Sequence, residues 1–384
     1  MEAVQSDRRI APDVVESLWL DHPTPDFDEF RRVMTGEQTP RRVHLAEASM
    51  DGEIMQAITE SAGETWQSLG GGFEMTPPEP YYAQVVRVYY HLGYDCAPVW
   101  ATWPGHPSPH HRVTDNTAEM AADDRHWVEE GFGLIRSWKD FEAFPWDALQ
   151  PDPRPVEYAA KHLPPGMKLT VNTTFFEHVF ENLLGFEGLA YMLYDEPELV
   201  RAVFQRWGEK VLSYYQAVIG HEAVGAIFHA DDMGFKTSTL IAASTLRELV
   251  LPWHKRYAAL AHEHGKLFFI HSCGNLFKSG VIDDLIDDVR IDAYHSFQDL
   301  ILPVADFKAR YGRRVGTLGG VDMDKLVTLP EDALRPYLRG ILDACVPGGR
   351  FAMGTGNTVA NYIPVEHFAV LIDECRRWAP HTNR

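Results

Sequence analysis

The stretch Ser244–Gly274 reads STLRELVLPWHKRYAALAHEHGKLFFIHSCG and joins a helical pattern to a strand pattern. Thr245 followed by Glu248 fits a capping box at the start of a helix, and Gly265 fits its end. The residues that follow, KLFFIHSCG, form a short apolar run of the kind found in strands that are buried on both faces. The stretch therefore predicts a helix that leads directly into a buried strand.

Similar apolar runs recur along the chain and alternate with helical patterns. Eight such runs begin near Arg41, Tyr94, Lys168, Ala223, Lys266, Ile291, Arg313 and Gly349. This alternation is typical of βαβ units, and eight parallel strands predict an α/β fold of the (β/α)₈ TIM-barrel class. Residues 1–40 are expected to form an N-terminal extension and residues 41–384 the barrel. Residues 101–146 are expected to form an insertion at the barrel mouth, with a hairpin around Gly131.

The charge composition of the chain disfavours two classes of binding partner. The 384 residues carry a net charge of −20, which disfavours binding to nucleic acid and to anionic membranes, because both need clustered Lys and Arg. The first residues lack an apolar core of signal-peptide length, and no apolar run is long enough to span a membrane, so we expect a cytoplasmic protein. The four cysteines are widely spaced, which favours free thiols in a reducing compartment.

His271 and Cys273 stand at the end of the fifth predicted strand, in FFIHSCGN. Residues two apart on a strand point to the same side, so an imidazole and a thiol would lie next to each other. In a barrel this position is the rim where catalytic groups collect, and zinc favours such nitrogen and sulfur ligands. The pair is therefore a candidate metal site. A core thiol beside a hydrogen-bonded histidine is the alternative.

Several segments together resemble the uroporphyrinogen decarboxylase superfamily. These are HSCG at the end of the fifth predicted strand, the preceding helix with Pro252, and GGVD followed by GTGN near the C-terminus. The resemblance runs from roughly Arg41 to the end of the chain. It implies a (β/α)₈ barrel, and it implies either a true uroporphyrinogen decarboxylase or a zinc-dependent methyltransferase that serves corrinoid and thiol cofactors.

The two branches of that superfamily require different residues. The decarboxylases carry arginine after the first strand and aspartate at the end of the second, whereas this chain has HLAEASMDGEIM and YDCAPVWATW there. A substrate with several carboxylates would lack its charge partners, so porphyrinogen decarboxylation is not expected. The methyltransferases carry His-x-Cys, which His271 and Cys273 match, and a further cysteine at the end of the eighth strand. Thr355 stands about where that cysteine is expected.

A third metal ligand must then come from another strand end. His295 is the first choice, because the sixth predicted strand neighbours the fifth, and the alternatives are Asp231, Asp232, His229 and Glu177. Asp231 and Asp232 are also predicted as a catalytic acid/base pair, in which one carboxyl group stays protonated beside the other. They could instead cap the following turn. Five residues near predicted strand ends are candidates for substrate contacts: Glu47, Glu177, Gln298, Asn357 and Tyr362.

The resemblance favours a methyltransferase or O-demethylase component that moves a methyl group between a small methylated substrate or thiol and a corrinoid. It implies zinc at His271 and Cys273, a corrinoid (cobalamin) delivered by a separate protein, and a homodimer. The insertion from Trp127 to Trp138 is expected to close over the substrate. One alternative is a metal-free decarboxylase or lyase of a small carboxylic acid that uses Asp232 and His271. The other is a non-catalytic barrel that binds a corrinoid or tetrapyrrole.

Overall fold

The computed structural model describes residues 17–107, 111–112, 126–127 and 131–379. Within these ranges, the helices are all too short or too polar to cross a membrane. The helices are Phe27–Thr35, Gly52–Ser61, Glu79–Leu92, Trp138–Ala143, Arg154–Lys161, Phe176–His178, Val179–Leu183, Phe186–Asp195, Pro197–Val218, Ala243–Leu249, Leu251–Glu263, Val281–Asp284, Leu285–Val289, Val304–Tyr311, Met323–Thr328, Glu331–Cys345 and Val365–Arg377. Two of them, Val179–Leu183 and Leu285–Val289, are π-helical turns.

Seven strands form one sheet, and every neighbouring pair in it is parallel. In sheet order, which is also chain order, they are Cys96–Trp100, Lys168–Thr173, Val224–Ala230, Leu267–His271, Ala293–His295, Gly316–Leu318 and Phe351–Ala352. These strands correspond to the second to eighth apolar runs of the sequence. Helices connect them, as parallel strands require.

The first predicted strand contributes one bridge instead of a ladder. Leu45 pairs in parallel with Met353, directly after the last strand of the sheet. On its other side, the His44 ring lies 2.6 Å from the Asp95 carboxylate, just ahead of the strand Cys96–Trp100. The segment thus lies between the two edge strands, and the α/β barrel class is confirmed with its first strand reduced to this bridge.

The helix predicted from Thr245 is divided in two. Ala243–Leu249 is followed by Leu251–Glu263. Pro252 lies in the first turn of the second helix, where a backbone N–H has no hydrogen-bond partner within the helix, so the missing N–H of proline costs no hydrogen bond. The capping box is wrong, because Thr245 lies inside the first helix and the Glu248 carboxylate accepts from Arg201 instead. Gly265, with φ +66°, ends the second helix as predicted.

The helix Phe27–Thr35 covers the amino-terminal end of the sheet. The N–H of Phe27 donates to the carbonyl of Gly166, just ahead of the second strand, and the N–H of Arg350 donates to the carbonyl of Val33, just ahead of the last. Phe30 is fully buried and packs edge-on against Phe269 inside the sheet. Because this end is filled, the carboxyl ends of the strands form the mouth.

Only part of the predicted insertion is described. His111–Arg112 pairs antiparallel with His126–Trp127, and the residues around Gly131 bind the main chain of the segment 182–188, with Gly133 N–H donating to Leu184 at 2.8 Å. The second arm of the hairpin predicted around Gly131 is wrong, because the described residues 131–138 form no strand, and the turn before Gly131 lies outside the described residues. The domain boundaries and the closing role of the insertion stay predictions.

Candidate metal centre

Three side chains meet where two neighbouring strands end. Ala230 is opposite His271 in the register of the sheet, and Asp232 and Cys273 each lie two residues further along. Leu267 and Phe269 pack inside the barrel with residues of the facing strands, so the period of two turns His271 inward at the mouth. Asp232, His271 and Cys273 present a carboxylate oxygen, an imidazole nitrogen and a sulfur within 4.8 Å of one another.

The distances inside this cluster are short. His271 Nε2 lies 3.3 Å from Asp232 Oδ1 and 3.5 Å from Cys273 Sγ. The same oxygen of Asp232 accepts the backbone N–H of Cys273 at 2.7 Å, which fixes the carboxylate against the loop that carries the thiol. A single carboxylate oxygen therefore contacts both ends of the His-x-Cys segment.

Gly274 shapes the loop that presents the thiol. Its φ is +95°, and a Cβ at this position would lie 2.1 Å from the backbone of Gly234. A side chain would therefore collide with the main chain that follows Asp232. The glycine lets the Cys273 loop approach the Asp232 loop closely enough for the hydrogen bond between them.

Two further polar groups surround the sulfur. Asn357 donates its Nδ2–H to Cys273 Sγ at 3.3 Å, and Ser296 Oγ lies 3.6 Å away. Asn357 follows the last strand, so the segment after that strand brings an amide group to the sulfur. Thr355, expected at the position of a second thiol, directs its hydroxyl to Glu47 instead.

Charge favours a cation at the cluster. Burial alone would lower the pKa of His271, but the sulfur of Cys273 and the carboxylate of Asp232 raise that pKa well above its usual value. Burial would also raise the pKa of Asp232, but hydrogen bonds from His271 and from Cys273 lower it. A proton on His271 thus balances the anionic groups, and a metal ion would take the place of that proton.

His271 is backed by a second histidine. Its Nδ1 lies 2.6 Å from Nδ1 of His295, and Nε2 of His295 lies 3.0 Å from the carbonyl oxygen of Thr355. Burial and the neighbouring charge of His271 lower the pKa of His295 to about 3. Both nitrogens of His295, our first choice for the third ligand, are occupied, so the geometry favours Asp232 in that place.

A pair of glutamates extends the acidic surroundings. Burial, with the carboxylates of Asp232 and Glu181, raises the pKa of Glu177 well above its usual value. Desolvation by the surrounding protein and the charge of Asp232 raise the pKa of Glu181 to about 7. The two glutamates are four residues apart on consecutive helical turns, a spacing that places them on one face. The carboxyl group of Glu181 can therefore hold a proton near neutral pH.

Asp231 belongs to a separate buried network. Its Oδ2 contacts Nε2 of His254 at 2.6 Å and Nε2 of His229 at 3.2 Å, and its Oδ1 accepts the backbone N–H groups of Phe175 and Glu177. Burial would raise the pKa of Asp231, but these donors hold it far below its usual value. His229, Asp231 and His254 also have the spacing of metal ligands, yet the hydrogen bonds account for their arrangement.

The other predicted site residues are dispersed. Glu47 is buried, where its burial raises its pKa to about 8 despite two hydrogen bonds from Thr355. Tyr362 is 50% exposed, and Gln298 is also exposed. Their roles in substrate binding stay predictions.

Some residues near the cluster were not predicted from the sequence. Ser296 directly follows His295, and Glu181 follows Glu177 by one helical turn, so both could have been proposed from their neighbours. His254 lies on the helix Leu251–Glu263, far from any strand end, and nothing in its local sequence links it to Asp231.

An apolar cavity of about 330 Å³ opens beside the strand Cys96–Trp100. Its walls include Met50, Phe73, Tyr81, Tyr82 and Trp100. It lies at the same carboxyl face as the cluster, and two strands of the sheet separate Cys96–Trp100 from Leu267–His271. The mouth thus combines an apolar compartment with a polar one.

Comparison with known proteins identifies relatives of two kinds. The family model described as uroporphyrinogen decarboxylase (URO-D) matches residues 156–378, more than half of the chain. A uroporphyrinogen decarboxylase from Cupriavidus pinatubonensis is 25% identical over 201 residues, which cover 50% of this chain and 52% of that protein. A methylated-thiol–coenzyme M methyltransferase from Methanosarcina mazei is 25% identical over 197 residues, covering 51% and 49%. The chain thus spans about half the length of the curated relatives it matches.

A solved structure shows the same fold. A methyltransferase from Methanosarcina mazei superposes with a TM-score of 0.64 over 90% of this chain and 97% of that one, at 12% sequence identity. The resemblance inferred from the motifs is confirmed, and so is the barrel class.

Proposed function

The chain belongs to the uroporphyrinogen decarboxylase family, and from this premise we propose that it is a methyltransferase with a zinc ion held by Asp232, His271 and Cys273. Methyltransferase relatives in sequence and in fold support the methyltransferase role. The single observation that carries the zinc proposal is the convergence of one oxygen, one nitrogen and one sulfur ligand at the mouth of the barrel.

The donor set fits zinc. Catalytic zinc sites use three protein ligands of nitrogen, oxygen or sulfur type and keep one position open. The carboxylate of Asp232 and the thiolate of Cys273 together carry two negative charges, which balance the charge of Zn²⁺, while His271 coordinates as a neutral ring. Asp232 would therefore supply the second anionic ligand that Thr355 does not provide.

Bound zinc would lower the pKa of a thiol or polarise a methylated oxygen at the open position. The residues of the chain prepare that position. Asp232 is oriented by the N–H of Cys273, and Asn357 and Ser296 contact the sulfur and restrict its rotation. Glu177 and Glu181 are assigned the handling of a proton, because the pKa of both is raised above its usual value, that of Glu181 to about 7.

Asp231 is assigned a positioning role. Four donors keep it ionised, so it does not exchange a proton at neutral pH. It binds the backbone of Glu177 and immediately precedes Asp232, and it therefore holds both carboxyl groups in place. This assignment replaces the shared-proton pair predicted from the sequence.

The substrate proposed is a small methylated compound or a thiol, and a corrinoid carried by a separate protein is the partner in methyl transfer. The apolar cavity beside Trp100 supports a substrate with an apolar part, because it lies on the same face as the cluster. The separate corrinoid protein, the homodimer and the cytoplasmic location stay predictions.

Metal content tests the zinc proposal directly. The purified protein should bind about one zinc per chain, and Cys273→Ser or Asp232→Asn should weaken binding about 100-fold or more, because each removes a charged ligand. Asp288→Asn, which changes an exposed carboxylate paired with Lys255, is the matched control and should bind zinc normally. A wild-type protein that takes up no zinc, or variants that bind it unchanged, would overturn the proposal.

A metal-free decarboxylase or lyase is the second candidate, and the relative from Cupriavidus pinatubonensis favours it. Activity separates the two reactions. Methyl transfer predicts a change in the absorption spectrum of methylcobalamin when a thiol acceptor and the zinc-loaded protein are added. Release of carbon dioxide from a small carboxylic acid by zinc-free protein would support the second candidate instead.

A further inference from the structure

The protons of His295 can be assigned from its two contacts. Nε2 of His295 faces the carbonyl oxygen of Thr355 at 3.0 Å, and a carbonyl only accepts, so Nε2 carries a proton. The ring is fully buried and contacts no carboxylate in the hydrogen bonds of the described residues. A buried cation without a counter-ion is costly, so the ring is neutral and its Nδ1 is an acceptor.

The acceptor on His295 determines which nitrogen of His271 is protonated. The two Nδ1 atoms are 2.6 Å apart, and since Nδ1 of His295 accepts, Nδ1 of His271 must donate. The remaining nitrogen of His271, Nε2, is the one that faces Asp232 and Cys273. A metal ion can therefore take the place of a proton on Nε2 while Nδ1 keeps its own.

The carbonyl that fixes His295 is itself held in place. Thr355 donates its backbone N–H and its hydroxyl to the carboxyl group of Glu47, at 2.8 and 2.5 Å. Gly319, with φ +75°, permits the approach, because a Cβ there would lie 2.1 Å from the Thr355 oxygen and 2.7 Å from the His295 ring. The row of contacts runs from Glu47 through Thr355 and His295 to His271.

We propose that His295 is a positioning residue for the metal, which holds a proton on Nδ1 of His271 and so reserves Nε2 for the ion. The proposal rests on the zinc site proposed above. Outer hydrogen bonds of this kind orient a ligating histidine and raise its basicity, and their loss typically weakens metal binding about 10- to 100-fold.

The experiment compares His295→Phe with the wild type in zinc affinity, measured by competition with a chelator. The replacement fills the buried space but offers no acceptor to His271, so the Kd for zinc should rise about 10- to 100-fold. Tyr257→Phe is the matched control: it removes one buried hydrogen bond, from Tyr257 to the carbonyl of Gly208, outside this row. Its Kd should change less than about threefold.

A measurement on the unaltered protein keeps the test decisive should the variant fold poorly. Nitrogen NMR of ¹⁵N-histidine-labelled, zinc-loaded protein should show His295 protonated at Nε2 and unprotonated at Nδ1. The opposite tautomer, or unchanged zinc affinity in His295→Phe, would overturn the positioning role. Failure of the wild type to bind zinc at all is a different result, which would remove the metal site itself.

Discussion

The carboxyl group of Glu47 accepts both the backbone N–H and the hydroxyl of Thr355, a residue 308 positions later in the chain. The contact lies beside the bridge between Leu45 and Met353, where the first and last segments of the barrel meet. Glu47 is 5% exposed, so a carboxylate there lacks the hydration it has in the unfolded chain. The closure of the barrel is therefore sensitive to the charge on one side chain.

Glu47→Gln is expected to change how stability depends on pH. Burial raises the pKa of Glu47 from 4.5 to about 8, so between these values the folded chain holds a proton that the unfolded chain releases. The wild type therefore loses stability as pH rises through this window, at up to about 1.4 kcal/mol per pH unit. Glutamine resembles the protonated acid and does not titrate, so the variant does not lose stability in this way as the pH rises. Urea unfolding at several pH values from 5 to 8 should show the variant gaining on the wild type; parallel curves would contradict the assignment.

Asp231→Asn is expected to destabilise the fold strongly. The change removes a buried charge that binds two histidines and two backbone N–H groups, and breaking such an arrangement costs roughly 3–5 kcal/mol. Asp288→Asn alters an exposed carboxylate paired with Lys255, and its cost should stay below about 1 kcal/mol. Denaturant unfolding at pH 7 measures both. Equal costs for the two variants would show that the network around Asp231 contributes little.

Gly274→Ala is expected to disturb the cluster as well as the fold. At φ +95° an added Cβ would lie 2.1 Å from the Gly234 backbone, so the loops that carry Cys273 and Asp232 must separate. Gly265→Ala is the control, since its φ of +66° is also left-handed but nothing lies within 4 Å of the added atom. The control should cost about 1 kcal/mol in unfolding free energy. Gly274→Ala should cost several times more and should also lose zinc; similar costs would contradict the close contact.

Cys273 is expected to be the reactive thiol of the four. Cys96, Cys345 and Cys375 are buried, and burial raises the pKa of all three thiols, that of Cys345 to about 12. Cys273 is partly exposed at the mouth. Brief treatment of the native protein with iodoacetamide, followed by peptide mapping, should label Cys273 first, and zinc should protect it. Labelling of Cys96 at a similar rate would contradict this order.

Periodicity was sufficient to predict the strands and the position of His271 and Cys273. The period of two at the end of a buried run depends only on local sequence, and seven of the eight predicted runs form the sheet. The third member of the cluster depends on register between strands, which local sequence does not specify. Asp232 was therefore one of several alternatives, and His295 ranked above it.

Other parts of the site depend on long-range packing. Asn357, and not Thr355, reaches the sulfur, because the chain leaves the regular strand at Ala352 and the period of two no longer applies. Glu47 was predicted from its place near a strand end as a substrate contact, and local sequence did not indicate that its carboxyl group would be buried against Thr355 at the junction of the first and last segments. His254 approaches Asp231 from a helix, and only the tertiary fold brings the two together.

The alignment of Ala230 with His271 couples the cluster to the pairing of two strands. A shift of one residue in the pairing of these two strands would move Asp232 away from Cys273, and it would turn the side chains of one strand to the opposite face of the sheet. An ion that requires both groups would be released by such a shift even if helix and strand content were unchanged. Zinc retention can therefore be used to test strand register in variants of this barrel. It distinguishes molecules with correctly paired strands from compact molecules in which these strands are misaligned.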